Sequence, residues 1–240
     1  IWIFLAVITI LLWGIPLVLA LITWLGNWLL SEYNVRKLQA MGTAVTEDQF
    51  PEVSQALNEI CEKFNIKKLP KVIIVQYSDI NAMALKFARK KVIVLFSKTL
   101  EGVIDKPAEL KFLLGHEIAH MILDHGTRGT FELYKNSAYK AARELTCDNC
   151  GLACSGDLEA SKNAIKRLNV GNKLFDRLSD EYLIAEAQYI YSGLTGWLLK
   201  KHLTYPPFGK RLLSINGFFM QEAEVYAEEP VLEDEPVLNE

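Results

Sequence analysis

Leu113-Leu114-Gly115-His116-Glu117-Ile118-Ala119-His120-Met121-Ile122-Leu123 is the stretch on which the reading of this chain turns. Its centre is H-E-x-x-H. On a helix the two histidines stand one turn apart on the same face, where both imidazoles can meet one Zn²⁺. Glu117 then lies beside the ion rather than on it. From there its carboxylate can take a proton from water that the metal has acidified to a pKa of roughly 7. The residues around the motif, Phe112, Leu113, Leu114, Ile118, Ala119, Ile122 and Leu123, are apolar. They predict a helix buried inside a domain, which is what a rigid ligand platform requires. The blander alternative is an ordinary core helix carrying two histidines by chance.

A catalytic zinc takes three protein ligands and keeps one position open. One known arrangement places Gly and a further His seven and ten residues after the first His. Leu123 and Gly126 occupy those positions, so that arrangement is excluded. His125, one residue out of register, reads as a solvated or helix-capping histidine, and His202 as part of a basic helix end. The other arrangement draws a carboxylate from a second helix. Ala141-Ala142-Arg143-Glu144-Leu145-Thr146-Cys147-Asp148 contains E-x-x-x-D, with Glu144 and Asp148 one turn apart. Glu144 can then bind the metal while Asp148 accepts the ring N–H of a ligating histidine.

With these motifs the chain resembles the HtpX-like zinc metallopeptidases, the family that also contains the CAAX prenyl endopeptidases. The resemblance runs from about Val45 to Ile215. Its landmarks are Gln49-Phe50-Pro51, Asn81-Ala82-Met83-Ala84, His116 to His120, Glu144 to Asp148, and Thr204-Tyr205-Pro206-Pro207 followed by Arg211. It implies one Zn²⁺ per chain on His116, His120 and Glu144, with Glu117 as base and Asp148 orienting a ligand. It also implies that Asn81 and Ala82 border the substrate cleft, and that Arg211 positions substrate or stabilises transition-state charge. Two departures stand out. The family usually has His before the two prolines, where this chain has Tyr205, whose phenol can also donate to an oxyanion. HtpX itself inserts membrane helices between its second His and the Glu, whereas here that interval is short and charged, as in relatives with a continuous soluble catalytic domain.

Outside the motifs, Ile1 to Leu30 carry no charged side chain. A helix of that length covers about 45 Å, more than the roughly 30 Å hydrocarbon core of a bilayer, and predicts one tilted or bent transmembrane anchor. Gly14 and Pro16 offer the bend. Trp24 and Trp28 read as interfacial residues, and Arg36 and Lys37 as a positive flank that favours a cytoplasmic catalytic domain. The chain opens on Ile rather than Met, which leaves room for an earlier segment with further spans.

The rest of the chain, with 50% hydrophobic residues, can bury one substantial domain, placed at 31–221. Thr46-Glu47-Asp48-Gln49 has the spacing of a capping box and predicts a helix through Val53, Leu57 and Ile60. Lys71 to Tyr77 and Lys91 to Ser97 read as strands, with an exposed strand near Asn81 suited to an extended peptide. Pro107 fits the first turn of the active-site helix. Helices follow over Leu158 to Leu168 and over Ser179 to Leu203, the latter broken near Gly193 and Gly196. Cys147, Cys150 and Cys154 suit a small-residue packing face better than a metal site. Four cysteines make no disulfide scaffold and point to a reducing compartment, and a formal net charge of −3 gives no electrostatic case for nucleic acid. Residues 222–240, acidic and Pro-containing, read as a disordered tail.

The expected fold is therefore α+β: a mainly helical zinc-peptidase domain with a small sheet, preceded by a transmembrane helix. The expected function is membrane-anchored, zinc-dependent endopeptidase activity on protein or peptide substrates, by resemblance in membrane protein quality control. A reading from another class is a membrane-tethered zinc-binding adaptor that holds client proteins without cutting them.

Overall fold

Residues 1–76, 82–87, 90–123 and 137–228 are described by a computed structural model. The uncharged N-terminal run is helical throughout: α1 (Trp2–Thr9), a π-helical turn (Ile10–Gly14) and α2 (Ile15–Met41) form one rod. The π turn sits where Pro16 disturbs the ladder. Proline has no N–H to give the carbonyl four residues back, and its ring crowds that carbonyl. The Ile15 N–H instead reaches back five residues to the Ile10 carbonyl. Thr9, Thr23 and Ser31 each return their hydroxyl to the carbonyl four residues earlier, so these polar groups are satisfied within the helix. The helix is long and apolar enough to cross a membrane, and the apolar side chains from Ile1 to Leu30 are largely uncovered by the rest of the protein. It does not stop at Leu30. Its last turns, through buried Ser31 and Val35, pack onto the rest of the protein.

That packing is onto a four-stranded sheet of order β1-β2-β4-β3, where β1 is Gly42–Ala44, β2 Lys71–Val75, β3 Ala82–Phe87 and β4 Lys90–Phe96. β1 runs antiparallel to β2, β2 parallel to β4, and β3 antiparallel to β4 with Ala82 opposite Leu95 and Ala84 opposite Ile93. β2 and β4 are nearly continuous apolar runs because both faces of the sheet are covered, as buried parallel strands require. Ile73, Val75, Val92 and Val94 pack against Val35 of α2. Val72, Ile93 and Leu95 face the main core, with α3 (Pro51–Lys63) and the later helix α5 (Pro107–Ile122).

Pro51 fixes the first turn of α3, while Thr46 acts differently from the expected capping box. Its carbonyl accepts from the N–H groups of Gln49 and Phe50, closing a turn ahead of a helix that has Phe50 as its N-cap and no side-chain cap. The Gln49 N–H that a Thr46 side-chain cap would have taken goes to the Thr46 carbonyl instead, and the helix starts later, with Phe50 as N-cap and Pro51 in its first turn. After β4 come α4 (Ser97–Val103), α5 (Pro107–Ile122) and α6 (Ser137–Ser155). They are followed by α7 (Leu158–Val170), capped by Asp157, then α8 (Asp180–Ile190), α9 (Gly193–His202) and α10 (Phe208–Glu228). Phe112, Leu152, Ile165, Leu183, Leu212 and Ile215 make a second core among α5, α6, α7, α8 and α10. α5 thus lies between the sheet and a helical layer, buried on nearly all sides. The fold is mainly helical with a small sheet, in agreement with the sequence reading. α10 continues to Glu228, past the tail boundary drawn at residue 222. The Met220 to Glu228 stretch contains helix-forming Met, Gln, Ala and Glu without Gly or Pro. Residues 229–240 lie outside the described residues.

Candidate metal centre and cleft

α5 begins at Pro107 and presents His116 and His120 one turn apart, with Glu117 between them. α6 crosses it closely enough for Glu144 to face both imidazoles. The His116 and His120 Nε2 atoms are 3.1 Å apart, and each is 3.6 Å from an oxygen of Glu144. Four ligands on a tetrahedral ion with bonds of about 2.0–2.2 Å are separated by about 3.3–3.6 Å. Two imidazole nitrogens and one carboxylate at these spacings fit three corners of such a site and leave the fourth open. His116, His120 and Glu144 are the grouping among the described residues that could hold a metal ion.

The close approach of the helices depends on two glycines. A Cβ on Gly151 of α6 would fall 2.8 Å from the Phe112 carbonyl, and one on Gly115 would fall 2.7 Å from the side chain of Cys154. Nothing in the motif spacing reveals this requirement. The only hint is the small-residue character of the Cys147 to Cys154 face. Cys147 is buried and all four cysteines are free thiols.

Behind the two histidines runs a connected set of buried charges. Asp148 Oδ1 lies 2.9 Å from His116 Nδ1, which commits that nitrogen to the carboxylate and turns Nε2 toward Glu144. Arg211 of α10 donates to both oxygens of Asp148, from Nε at 2.7 Å and Nη2 at 2.6 Å, and from Nη1 to the Tyr205 hydroxyl. Arg211 and Asp148 are wholly buried. The guanidinium therefore faces Asp148 and Tyr205, so any effect of Arg211 on substrate position or transition-state charge would pass through these two residues. A planar fork matching both carboxylate oxygens explains why an arginine fills this position.

The electrostatics follow from these neighbours. Burial opposes charge on His116, yet hydrogen bonds with Asp148 and Glu144 outweigh it and hold the imidazole up at about 9. Burial would raise the Glu144 carboxyl, but the two histidines pull it well below the usual carboxylate range. Asp148 is likewise lowered, its desolvation overcome by Arg211 and His116. Glu117 goes the other way: burial raises it against the pull of both histidines and of a hydrogen bond from the Ala84 backbone. Burial of its hydroxyl pushes Tyr205 up to about 12, with Arg211 opposing.

These groups open onto a cleft of ≈ 250 Å³ bounded by Ala82, Met83 and Ala84 of β3 on one side and by Tyr205 on the other. β3 is the last strand of the sheet. Because the Ala84 backbone bonds to Glu117, the strand edge points toward the site rather than only toward β4. Ala82 borders the cleft as expected, while Asn81 and His125 lie outside the described residues. Arg143, beside Glu144 on α6, also lines the cleft and was not singled out from sequence. Its position one residue before a candidate ligand carries no motif of its own. His202 ends α9 and is exposed, away from the cluster.

The family model described as peptidase family M48 matches residues 47–217, which contain every element of this site. No curated protein and no solved structure matches the chain.

Proposed function

Because the chain belongs to peptidase family M48, a metallopeptidase family, we propose that it is an HtpX-like zinc endopeptidase held in a membrane by α1 and α2. The observation that carries the reading is the near-tetrahedral spacing of His116, His120 and Glu144, with Glu117 beside them in a cleft edged by a strand. In this reading His116, His120 and Glu144 hold one Zn²⁺. Bound there, zinc would acidify water and polarise the scissile carbonyl.

The protein's own residues account for the rest. An extended substrate segment pairs with the outer edge of β3, which brings its carbonyl past Glu117. Glu117, whose burial makes it a better proton acceptor than an ordinary carboxylate, takes the proton of the attacking water and delivers it to the leaving amide nitrogen. Tyr205 accepts a hydrogen bond from Arg211, so its own O–H remains to donate to the developing oxyanion. With its pKa raised to about 12 the phenol stays protonated at neutral pH. Arg211 is a positioning residue that ties Tyr205 to Asp148, and Asp148 fixes the His116 tautomer. Residues 1–30 form the anchor, 31–221 the catalytic domain, and Arg36 and Lys37 favour a cytoplasmic domain. Loosely folded membrane proteins are the substrate class that an edge-strand cleft beside a bilayer suits.

The test is Glu117→Gln, with zinc content and cleavage of a loosely folded protein measured in parallel. Zinc should stay near one per chain while turnover falls at least a hundredfold. Undiminished turnover would refute the base assignment. Stoichiometric zinc with no chelator-sensitive cleavage in the wild type would favour the adaptor reading instead.

A further inference from the structure

At the end of the sheet where β2 and β4 begin, beside α2, a second pocket of ≈ 460 Å³ is lined by Lys68, Lys71, Lys90 and Lys91. Its inner wall is apolar, built from Val35 of α2, Val92 of β4 and Leu69, and Leu69 is 48% exposed. Four lysines beside an apolar floor, with only Lys90 paired to a nearby acid among the described residues, Glu32, are matched by an amphiphile with an anionic head. A free anion would leave the floor unused, and a neutral lipid would leave the lysines unmatched.

The place of the pocket says where such a ligand comes from. The uncharged run of α2 ends at Leu30, and Glu32, two residues on, forms an ion pair with Lys90. Val35 follows five residues after Leu30, about 8 Å further along the helix axis. That distance lies within the ~8–10 Å over which a charged membrane surface acts at physiological salt. Arg36 and Lys71 are also close enough to act on the Glu32 carboxylate, so Glu32 is surrounded by positive charge. Because buried Val35 fixes α2 to the sheet, the pocket keeps a set height above the end of the apolar run.

We propose that this pocket binds the headgroup and glycerol end of an anionic phospholipid drawn from the bilayer that α1 and α2 enter. The proposal rests on the membrane-anchor reading. An occupied pocket would clamp this end of the sheet against the membrane surface, setting the orientation of β3 for substrates emerging from the bilayer.

The full chain in nonionic detergent micelles, titrated with phosphatidylglycerol or phosphatidylcholine and followed by native mass spectrometry, tests it. The wild type should take up one phosphatidylglycerol at least tenfold more tightly than phosphatidylcholine. K68Q/K71Q/K91Q alters three exposed side chains and leaves the Glu32–Lys90 pair in place. It should keep its zinc content and lose most of that preference. Equal affinity for the two lipids in the wild type, or an unchanged preference in the triple variant, would overturn the proposal. So would displacement of the lipid by millimolar glycerol 3-phosphate, which would mark a site for soluble phosphates. Flotation with phosphatidylcholine vesicles isolates the anchor: a chain that floats but shows no lipid preference removes the pocket alone, whereas a chain that does not float removes the anchor and the pocket's lipid source with it.

Discussion

Helices α2 and α5 are both strongly apolar, yet the protein treats them in opposite ways. α5 is covered on nearly every side and carries charge inside the core, each charged group with a named partner. Glu109 meets Arg167 at 2.6 Å, His116 meets Asp148, and Glu117 takes a backbone hydrogen bond from Ala84. The first half of α2 has almost nothing packed on it and, before Glu32, contains no charge at all. Hydrophobicity alone therefore does not separate a catalytic core helix from an anchor. What separates them is whether the polar atoms find partners in the fold, since an unmatched charge is costly both in a protein core and in lipid.

Removing a partner from α5 should produce the largest effect. Asp148→Ala strands the Arg211 guanidinium in a wholly buried site and frees His116 Nδ1. Loss of about 3–5 kcal/mol is expected, as for other broken buried pairs, with zinc occupancy falling in parallel. Denaturant unfolding and elemental analysis check the two readouts. A variant as stable as wild type would show that the buried charges on α5 do not need their partners. The reciprocal change adds a charge to α2: Leu21→Arg should leave the unfolding of the catalytic domain unchanged while costing insertion about 2.5–3.5 kcal/mol. Alkaline extraction of membranes measures the difference. If the variant instead destabilised the domain and stayed in the membrane, α2 would be a core helix like α5.

The legibility of the two helices also differs. The long apolar helix was readable because its signal is a simple absence of charge over thirty residues. The grouping of His116, His120 and Glu144 was readable because helical periodicity fixes which side chains share a face, and a helix needs no distant information to place His116 above His120. Arg211 was less so. Its number in the chain says that it follows the two prolines, but only the approach of α10 to α6 decides whether its guanidinium points at substrate or at Asp148. The glycine contacts at Gly115 and Gly151 and the cleft position of Arg143 were not legible, because each depends on the separation of two helices joined through residues 124–136. The capping box failed for a local reason: the spacing was right, but the Thr46 carbonyl closes a turn on Gln49 and Phe50, and the helix starts only at Pro51.

Acid–base behaviour offers a sharper view of α5. In metal-free protein the folded-state pKa of His116, about 9, lies above its ordinary value of 6.5. The protonated imidazole contributes fully to stability below about pH 6.5, and the contribution is lost as pH rises through 9. The span corresponds to up to about 3 kcal/mol, and chelator-treated protein should lose stability over that window. Zinc requires the unprotonated ring, so its affinity should climb up to tenfold per pH unit from pH 7 and level off above 9. Competition against a chelator, corrected for the chelator's own protonation, follows this directly. A pH-independent affinity would mean that His116 is neutral in the metal-free fold.

The smallest of these effects is the most informative about how the site is built. Gly151→Ala adds one methyl group, 2.8 Å from the Phe112 carbonyl and 3.0 Å from its ring, at the crossing of α5 and α6. A carbonyl on a buried helix cannot rotate away as a long side chain can. The helices must separate by a few tenths of an ångström, at an overpacking cost of about 1–3 kcal/mol. A residue that only fills space would lose stability and nothing more. Here the same crossing sets the distance from Glu144 to both histidines, so separation should weaken zinc binding beyond what the stability loss explains, while Asp148, held by Arg211 on α10, keeps its orientation. Zinc affinity measured on fully folded Gly151→Ala protein tests that coupling. A variant that loses stability but binds zinc as wild type does would show that Glu144 follows the histidines through its own side-chain freedom, and that the spacing of the helices is not what assembles the site.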